Sequence, residues 1–268
     1  MSEDLAGKVA LVTGGGRGLG EGIAVALAKR GATIALSGRN PAALQATAQT
    51  IESMGGRASV HPGDVASTSD VEKVVSGTLD AHGRLDILVN NAGIAHEAAF
   101  LDIEEAGWRR VIDVNLNGVF FMTQRVARQM RNQGRGGAII NIGSIEAHAA
   151  DGPFASYVAA KFGLRGMTMS AAIELAEYGI RVNSVSPGWV HTKMAEEALR
   201  PAMLQHMLHD FKRVPIKRMV TVDEVAGAVT FLASDAASGI TGTDLVVDGG
   251  TLADIHVHRS LPNDEDEQ

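Results

Sequence analysis

The sequence predicts one α/β domain, a doubly wound, mainly parallel sheet of seven strands with helices on both faces. Three observations predict it. Short apolar runs rich in β-branched residues alternate with longer segments of helical period as far as residue 250. A glycine cluster separates the first such run from the helical segment after it. No linker rich in Pro, Gly or Ser divides the 268 residues, a length that can bury a substantial core in one unit.

In chain order, strands are predicted at 9–13, 33–37, 58–62, 87–90, 137–142, 181–186 and 244–247. After the first strand the glycine segment leads into a helix from Glu21 to Arg30. Asn40 and Pro41 supply an N-cap and a first-turn proline for a helix whose buried face carries Leu44, Ala48 and Ile51. Ser69 with Glu72, and Thr221 with Glu224, have the spacing of capping boxes ahead of apolar stripes at Val71, Val74 and Val75 and at Val225, Val229 and Leu232. Residues 189–218 break the alternation. They form a long insertion rich in Met and His after the sixth strand, and in an open parallel sheet ligands sit beyond the carboxyl ends of strands. This segment is the expected substrate lid of a domain spanning 1–260, and the acidic stretch 261–268 is expected to be a mobile tail.

Composition removes several classes of function. A net charge of −7 and an aromatic content of 4% argue against a nucleic-acid groove. Arg125, Arg128, Arg131 and Arg135 recur at helical spacing near a helix end and read as a solvated face. The absence of cysteine excludes thiol nucleophiles, thiolate metal sites and disulfides, and fits a reducing compartment, so a cytoplasmic location is expected. The first eight residues resemble no targeting peptide, and no uncharged apolar run approaches the roughly 18 residues of a membrane span. Neither Gly-x-Ser-x-Gly nor His-Glu-x-x-His occurs, and His206 and His209 have no obvious third ligand, so no metal is expected.

The segment Thr13-Gly14-Gly15-Gly16-Arg17-Gly18-Leu19-Gly20 lies between strand and helix. Glycine is required there for a sharp turn, for close approach of a pyrophosphate and for tight packing of the helix, whose N-terminus then faces the anion. This is the context of a Rossmann-type dinucleotide site, and the missing Gly-Lys-Ser/Thr ending excludes a Walker A loop. Dinucleotide folds selective for NAD carry a carboxylate at the end of the second strand. Here the chain reads Ser37-Gly38-Arg39-Asn40, and Arg39, with Arg17 nearby, can pair with a 2′-phosphate. NADP(H) is therefore the preferred cofactor, with NAD(H) the alternative.

Tyr157 and Lys161 stand four apart on one face of a predicted helix. A nearby ammonium favours the phenolate, so the tyrosine pKa is expected to fall from about 10 toward a useful acid/base range. Ser144 follows the fifth strand, where its hydroxyl can meet a substrate oxygen. Asn90-Asn91-Ala92-Gly93 closes the fourth strand at the same edge, and Asn115 follows an apolar helical pattern.

With these residues in order, the chain resembles the classical short-chain dehydrogenases/reductases. The resemblance rests on Thr13 to Gly20, Asp64-Val65, Asn90 to Gly93, Asn115, Ser144, Tyr157 with Lys161, and Pro187-Gly188, and it covers nearly the whole chain. It implies that Tyr157 is the general acid in carbonyl reduction and the base in alcohol oxidation. It further implies that Lys161 holds the nicotinamide ribose and lowers the tyrosine pKa, that Ser144 orients the substrate oxygen, and that Asn115 holds a water in a proton relay. Asp64 and Val65 are then expected to line the adenine site, Asn91, Ala92 and Gly93 to pass behind the cofactor, and Pro187, Gly188, Val190 and Thr192 to flank the nicotinamide. Homotetramers, or homodimers, are the assembly the resemblance implies. One departure is Gly16, where many NADP-dependent members have serine.

The substrate reads as a small ketone or secondary alcohol. His96, Glu146, His148, Trp189, Met194 and Met203 are the expected contacts, because they border Ser144 or lie in the lid. Glu146 can accept hydrogen bonds from a polyol or pair with a cation. The acyl-carrier-protein ketoreductases resemble this chain in Arg17 and length, but they typically carry a basic docking residue where Ile173 aligns. A third alternative, a non-catalytic dinucleotide-sensing protein, has no need of Ser144, Tyr157 and Lys161 together.

Overall fold

The computed structural model describes residues 4–254, so the tail at 261–268 lies outside the described residues. Seven strands form one parallel sheet: β1 (Val9–Thr13), β2 (Thr33–Gly38), β3 (Ala58–Pro62), β4 (Ile87–Asn90), β5 (Gly137–Ile142), β6 (Ile180–Pro187) and, after two short strands outside this sheet, β9 (Asp244–Val247). β1 and β4 are buried at every residue, as strands covered on both faces must be, which is why they read as unbroken apolar runs.

The strand order is β3-β2-β1-β4-β5-β6-β9, with parallel pairing throughout. The chain winds outward in one direction from β1 to β3 and then in the other from β4. The crevice between β1 and β4 is the topological switch point, where ligands of doubly wound sheets bind.

One face of the sheet is covered by α1 (Gly18–Lys29), α2 (Pro41–Ser53) and α9 (Val222–Ala233), which bury Ile23, Leu27, Leu44, Ile51, Val225 and Val229. The other is covered by α3 (Thr68–His82), α5 (Gly118–Gln133) and α6 (Ala155–Leu175), with Val71, Val74, Met122, Val126 and Ala172 in the core. Asn40 Oδ1 accepts from the Ala42 and Ala43 amides, and Thr221 and Glu224 close a capping box. The box expected at Ser69 and Glu72 is corrected: α3 begins two residues earlier, and Ser67 caps it by accepting from the Asp70 amide at 3.3 Å.

α4 (Glu105–Ile112) joins α5 through a single π-helical turn, Asp113–Asn117, closed by the Gly118 amide on the Asp113 carbonyl. Such a turn inside a helix frequently marks a functional site. The insertion at 189–218 is also folded. β7 (Val190–His191) pairs with β8 (Val220–Thr221), and α7 (Lys193–Ala198) and α8 (Pro201–His209) lie between them over a separate small core of Met207, Phe211, Val214 and Met219.

Candidate active site

The glycine loop sits at the switch point. Gly14 has φ +65°, a conformation that side chains disfavour, and a Cβ on Gly20 would stand 2.2 Å from the Gly14 carbonyl oxygen. The Thr13 hydroxyl accepts from the Asn91 and Ala92 amides at 3.0 and 3.1 Å, while Asn91 Nδ2 donates to the carbonyls of Thr13 and Gly14. These bonds tie the end of β1 to the end of β4. α1 starts at Gly18, and Arg17 at its N-cap supplies no side-chain cap, so its first amides face the groove unclaimed by a side chain.

A groove of about 740 Å³ opens over this loop. Gly14, Gly16, Arg17, Gly18, Leu19, Gly20, Arg39, Asn40, Asp64, Val65, Asn91, Ala92, Gly93 and Thr192 all line it. Ser37 is buried behind the wall; its carbonyl accepts from the Gly15 amide and its Oγ has no partner among the described residues. Pro187, Gly188 and Val190 are outside the lining, on the end of β6 and in β7.

Sequence reading missed Arg110, Lys193 and Glu197 in this groove. Arg110 donates to Asp64 at 2.6 Å across 46 residues of chain, a pairing without local signature. Burial alone would raise the Asp64 carboxyl, but the Ala66 amide and Arg110 outweigh it and hold it below its ordinary value.

Next to the groove, the ends of β5 and β6 bring the reacting residues together. Tyr157 and Lys161 lie one turn apart on α6, and Ser144 follows β5 close enough to the Tyr157 hydroxyl to pull its pKa down. Lys161 is buried; its Nζ donates to the Ile142 carbonyl at 2.7 Å and stands 5.3 Å from the centre of the Tyr157 ring. Burial pushes the ammonium down to about 8, opposed by the charge of Glu146. The expected fall in the tyrosine pKa is corrected. Burial pushes the Tyr157 phenol up to about 12, Ser144 pulls the other way, and the Glu146 carboxylate raises it further.

Asn115 lies within the π turn, is 1% exposed, and grips the backbone of Ile94 from both sides: its Oδ1 accepts from the Ile94 amide at 2.9 Å and its Nδ2 donates to the Ile94 carbonyl at 2.7 Å. This fixes the strand end that carries Asn91 to Gly93. Asn90 performs a parallel task deeper in the sheet, donating to Asn141 and Thr123.

The expected substrate contacts separate. Glu146 stays beside Ser144, its amide donating to Ser144 Oγ at 3.1 Å. Burial, with Asp151 repelling its charge, pushes its carboxyl up to about 7 against the pull of Lys161. His148 instead engages Asp244 at 2.5 Å and lines a second, smaller cavity with Arg165, Thr168 and Met169. His96 is exposed, and a Cβ added to Gly107 on α4 would meet its ring at 2.8 Å. Trp189 packs edge-on against Phe211 under the insertion, and Met203 is exposed on α8. The Met194 side chain is outside the described residues.

The fold and groove define a doubly wound dinucleotide-binding domain. The sequence model of the family described as Enoyl-(Acyl carrier protein) reductase matches residues 14–251. The chain is 38% identical to an L-rhamnose 1-dehydrogenase (NAD(P)(+)) of Azotobacter vinelandii over 92% of its own length and 98% of the relative's. It is 40% identical to a 3-oxoacyl-[acyl-carrier-protein] reductase of Synechocystis, covering 92% and 98%. A gluconate 5-dehydrogenase from Burkholderia cenocepacia, solved in complex with NADP and tartrate, superposes with a TM-score of 0.87 at 36% identity over 94% of this chain and 98% of that one. The chain belongs to the classical short-chain dehydrogenase/reductase family and is an oxidoreductase of that family.

Proposed function

We propose that the protein transfers a hydride between NADP(H) and the carbon of a small ketone or secondary alcohol. The observation that carries the reading is the convergence of Ser144, Tyr157 and buried Lys161 at the carboxyl edge of β5, beside a glycine-lined groove at the switch point.

The residues present fit a dinucleotide. The amides at the start of α1 suit a diphosphate, and at Gly18, which opens that helix with φ +57°, nothing stands within 4 Å of a Cβ position, so the loop leaves space there. Arg39 and Arg17 are the partners for a 2′-phosphate, with Asn40 beside them, while Ser37 backs the wall through its carbonyl bond to the Gly15 amide. Asp64 and Val65 hold the adenine end, Asn91 to Gly93 the middle, and Pro187, Gly188, Val190 and Thr192 the nicotinamide end. The nicotinamide, when bound, supplies or accepts the hydride.

The chain handles the proton. Tyr157 donates its hydroxyl proton to the carbonyl oxygen in reduction and removes it from the alcohol in oxidation. Ser144 holds the same oxygen, and the Lys161 ammonium stabilises the phenolate left behind. Asn115, already committed to Ile94 through its side chain, holds the loop on which a relaying water depends. The segment 189–218 closes over the site as a lid.

A homotetramer or homodimer in the cytoplasm completes the reading. Reduction of acyl thioesters on a carrier protein is the second reading, favoured by the likeness to the Synechocystis reductase. Ile173, 79% exposed on α6, weighs against it, since a basic residue suits an acidic carrier at that position.

The test is turnover of NADPH and NADH with ketones, sugars and acyl thioesters, in parallel with Tyr157→Phe. The variant is expected to bind NADPH as the wild type does and to lose at least about a hundredfold in kcat. Full activity in Tyr157→Phe refutes the assigned chemistry.

A further inference from the structure

The proton-transfer scheme leaves one group of this site unused. Glu146 is held against Ser144 by its own amide, yet its Oε2 is buried and has no hydrogen-bond partner among the described residues. A buried carboxyl oxygen without a donor is costly and is retained where something supplies the donor. The groups around it do not. Lys161 attracts the carboxylate by its charge but its hydrogen bond goes to the Ile142 carbonyl and not to Oε2, Asp151 repels the carboxylate, and Tyr157 is itself raised by it.

We propose that Glu146 is a specificity residue that receives a second hydroxyl of the substrate, adjacent to the reacting carbon, so that the site takes a vicinal diol or the matching α-hydroxy ketone. This rests on the dehydrogenase reading above. The Glu146 backbone is bonded to Ser144 Oγ, and its carboxylate lies near enough to raise both Tyr157 and Lys161 by its charge, so the carboxyl neighbours an oxygen held by Ser144 and Tyr157. A hydroxyl suits that position better than an ammonium. It donates to the carboxylate and accepts from the carboxylic acid, and with the carboxyl pushed up to about 7 both forms are present at neutral pH. An ammonium satisfies only the charged form and sits within reach of the like charge of Lys161. In the reaction one carbinol carbon would give a hydride to NADP⁺ while its hydroxyl proton passes to the Tyr157 phenolate and a C=O bond forms, and the second hydroxyl stays on its carbon unchanged.

The experiment compares kcat/KM for NADP⁺-dependent oxidation of cyclohexanol, cis- and trans-cyclohexane-1,2-diol and 2-aminocyclohexanol by wild type, Glu146→Gln and Glu146→Leu. NADPH binding and thermal unfolding confirm that each variant is folded. Wild type is expected to favour one of the diols over cyclohexanol by about tenfold or more, and Glu146→Leu to lose that preference. Glu146→Gln, which keeps an acceptor oxygen, is expected to fall between them. A diol preference unchanged in Glu146→Leu, or a preference for the amino alcohol over both diols, overturns the role of Glu146 while leaving the dehydrogenase reading intact. NADPH binding without oxidation of any of the four alcohols by the wild type overturns both.

Discussion

Replacing Asn115 by alanine separates its structural work from any part in proton relay. The side chain is buried and makes two hydrogen bonds, both to the backbone of Ile94. Removing it leaves an amide and a carbonyl without their partners next to the core. Each lost bond is worth roughly 0.5–1.5 kcal/mol net, and each buried group left unpaired costs about 1–3 kcal/mol. Water entering the vacated space recovers part of this, so a destabilisation of about 2–4 kcal/mol is expected. In a domain of this size that lowers Tm by roughly 4–16 °C. Thermal unfolding of Asn115→Ala and Asn115→Asp against wild type measures it. The aspartate keeps the acceptor for the Ile94 amide but sets a buried carboxylate oxygen against the Ile94 carbonyl, so at neutral pH it is expected to be at least as destabilised as the alanine. A Tm within about 1 °C of wild type in Asn115→Ala refutes the clamp. If the loss of stability is matched by a loss of NADPH affinity, the clamp positions Asn91 to Gly93 for the cofactor. If affinity survives and kcat falls, the relay carries the effect.

Gly20→Ala drives a methyl into the Gly14 carbonyl and Asn91, and is expected to weaken NADPH binding in a fluorescence titration by at least about tenfold. Gly227→Ala, in α9 with open space at its Cβ, is the control and is expected to stabilise by about 0.4–1 kcal/mol. Arg39→Asp replaces the 2′-phosphate partner by a carboxylate and is expected to shift the ratio of kcat/KM toward NADH; an unchanged ratio removes Arg39 as the selector. Glu146 gives a pH signature in stability. Its pKa is raised from an ordinary 4.5 to about 7, so the folded state binds the extra proton and the contribution is full below 4.5 and lost as pH rises through 7. Glu146→Gln is therefore expected to gain stability over wild type at pH 8 relative to pH 4.5, measured by urea unfolding.

Much of the fold was legible because its signals are local. A strand buried on both faces has to be an apolar run, and Val9 to Thr13 and Ile87 to Asn90 are read directly from that requirement. Asn40 with Pro41, and Thr221 with Glu224, announce helix starts because the cap and the amides it satisfies are neighbours in sequence. The same rule misplaced the start of α3: Ser67 and Ser69 both precede helical residues, and only the backbone shows that Ser67 has the extended conformation from which a cap can reach the Asp70 amide. The π turn around Asn115 and the small β7–β8 pair left no mark at all. Each is a choice between nearly equivalent hydrogen-bond patterns, decided by packing between elements distant in sequence.

The site divides along the same line. Glycine contacts with a dinucleotide are dictated by backbone, so the loop at 13–20 could be read from residue type alone. Charge could not. The spacing of Tyr157 and Lys161 puts an ammonium near a phenol, and in water that pair moves the phenol down. In this fold Lys161 is turned to the Ile142 carbonyl and both groups lose solvent, so burial, aided by the Glu146 charge, outweighs the hydrogen bond from Ser144 and the phenol moves up to about 12. A tyrosine held neutral in this way is ready to give its proton to a carbonyl oxygen, whereas acting as a base requires the phenolate to be stabilised by more than the Lys161 ammonium alone. Ser144 supplies part of that stabilisation, and Glu146, whose charge opposes it, must be neutralised or hydrogen-bonded to supply the rest. Occupation of Glu146 by a substrate hydroxyl would thus tie recognition of the substrate to activation of the base that acts on it.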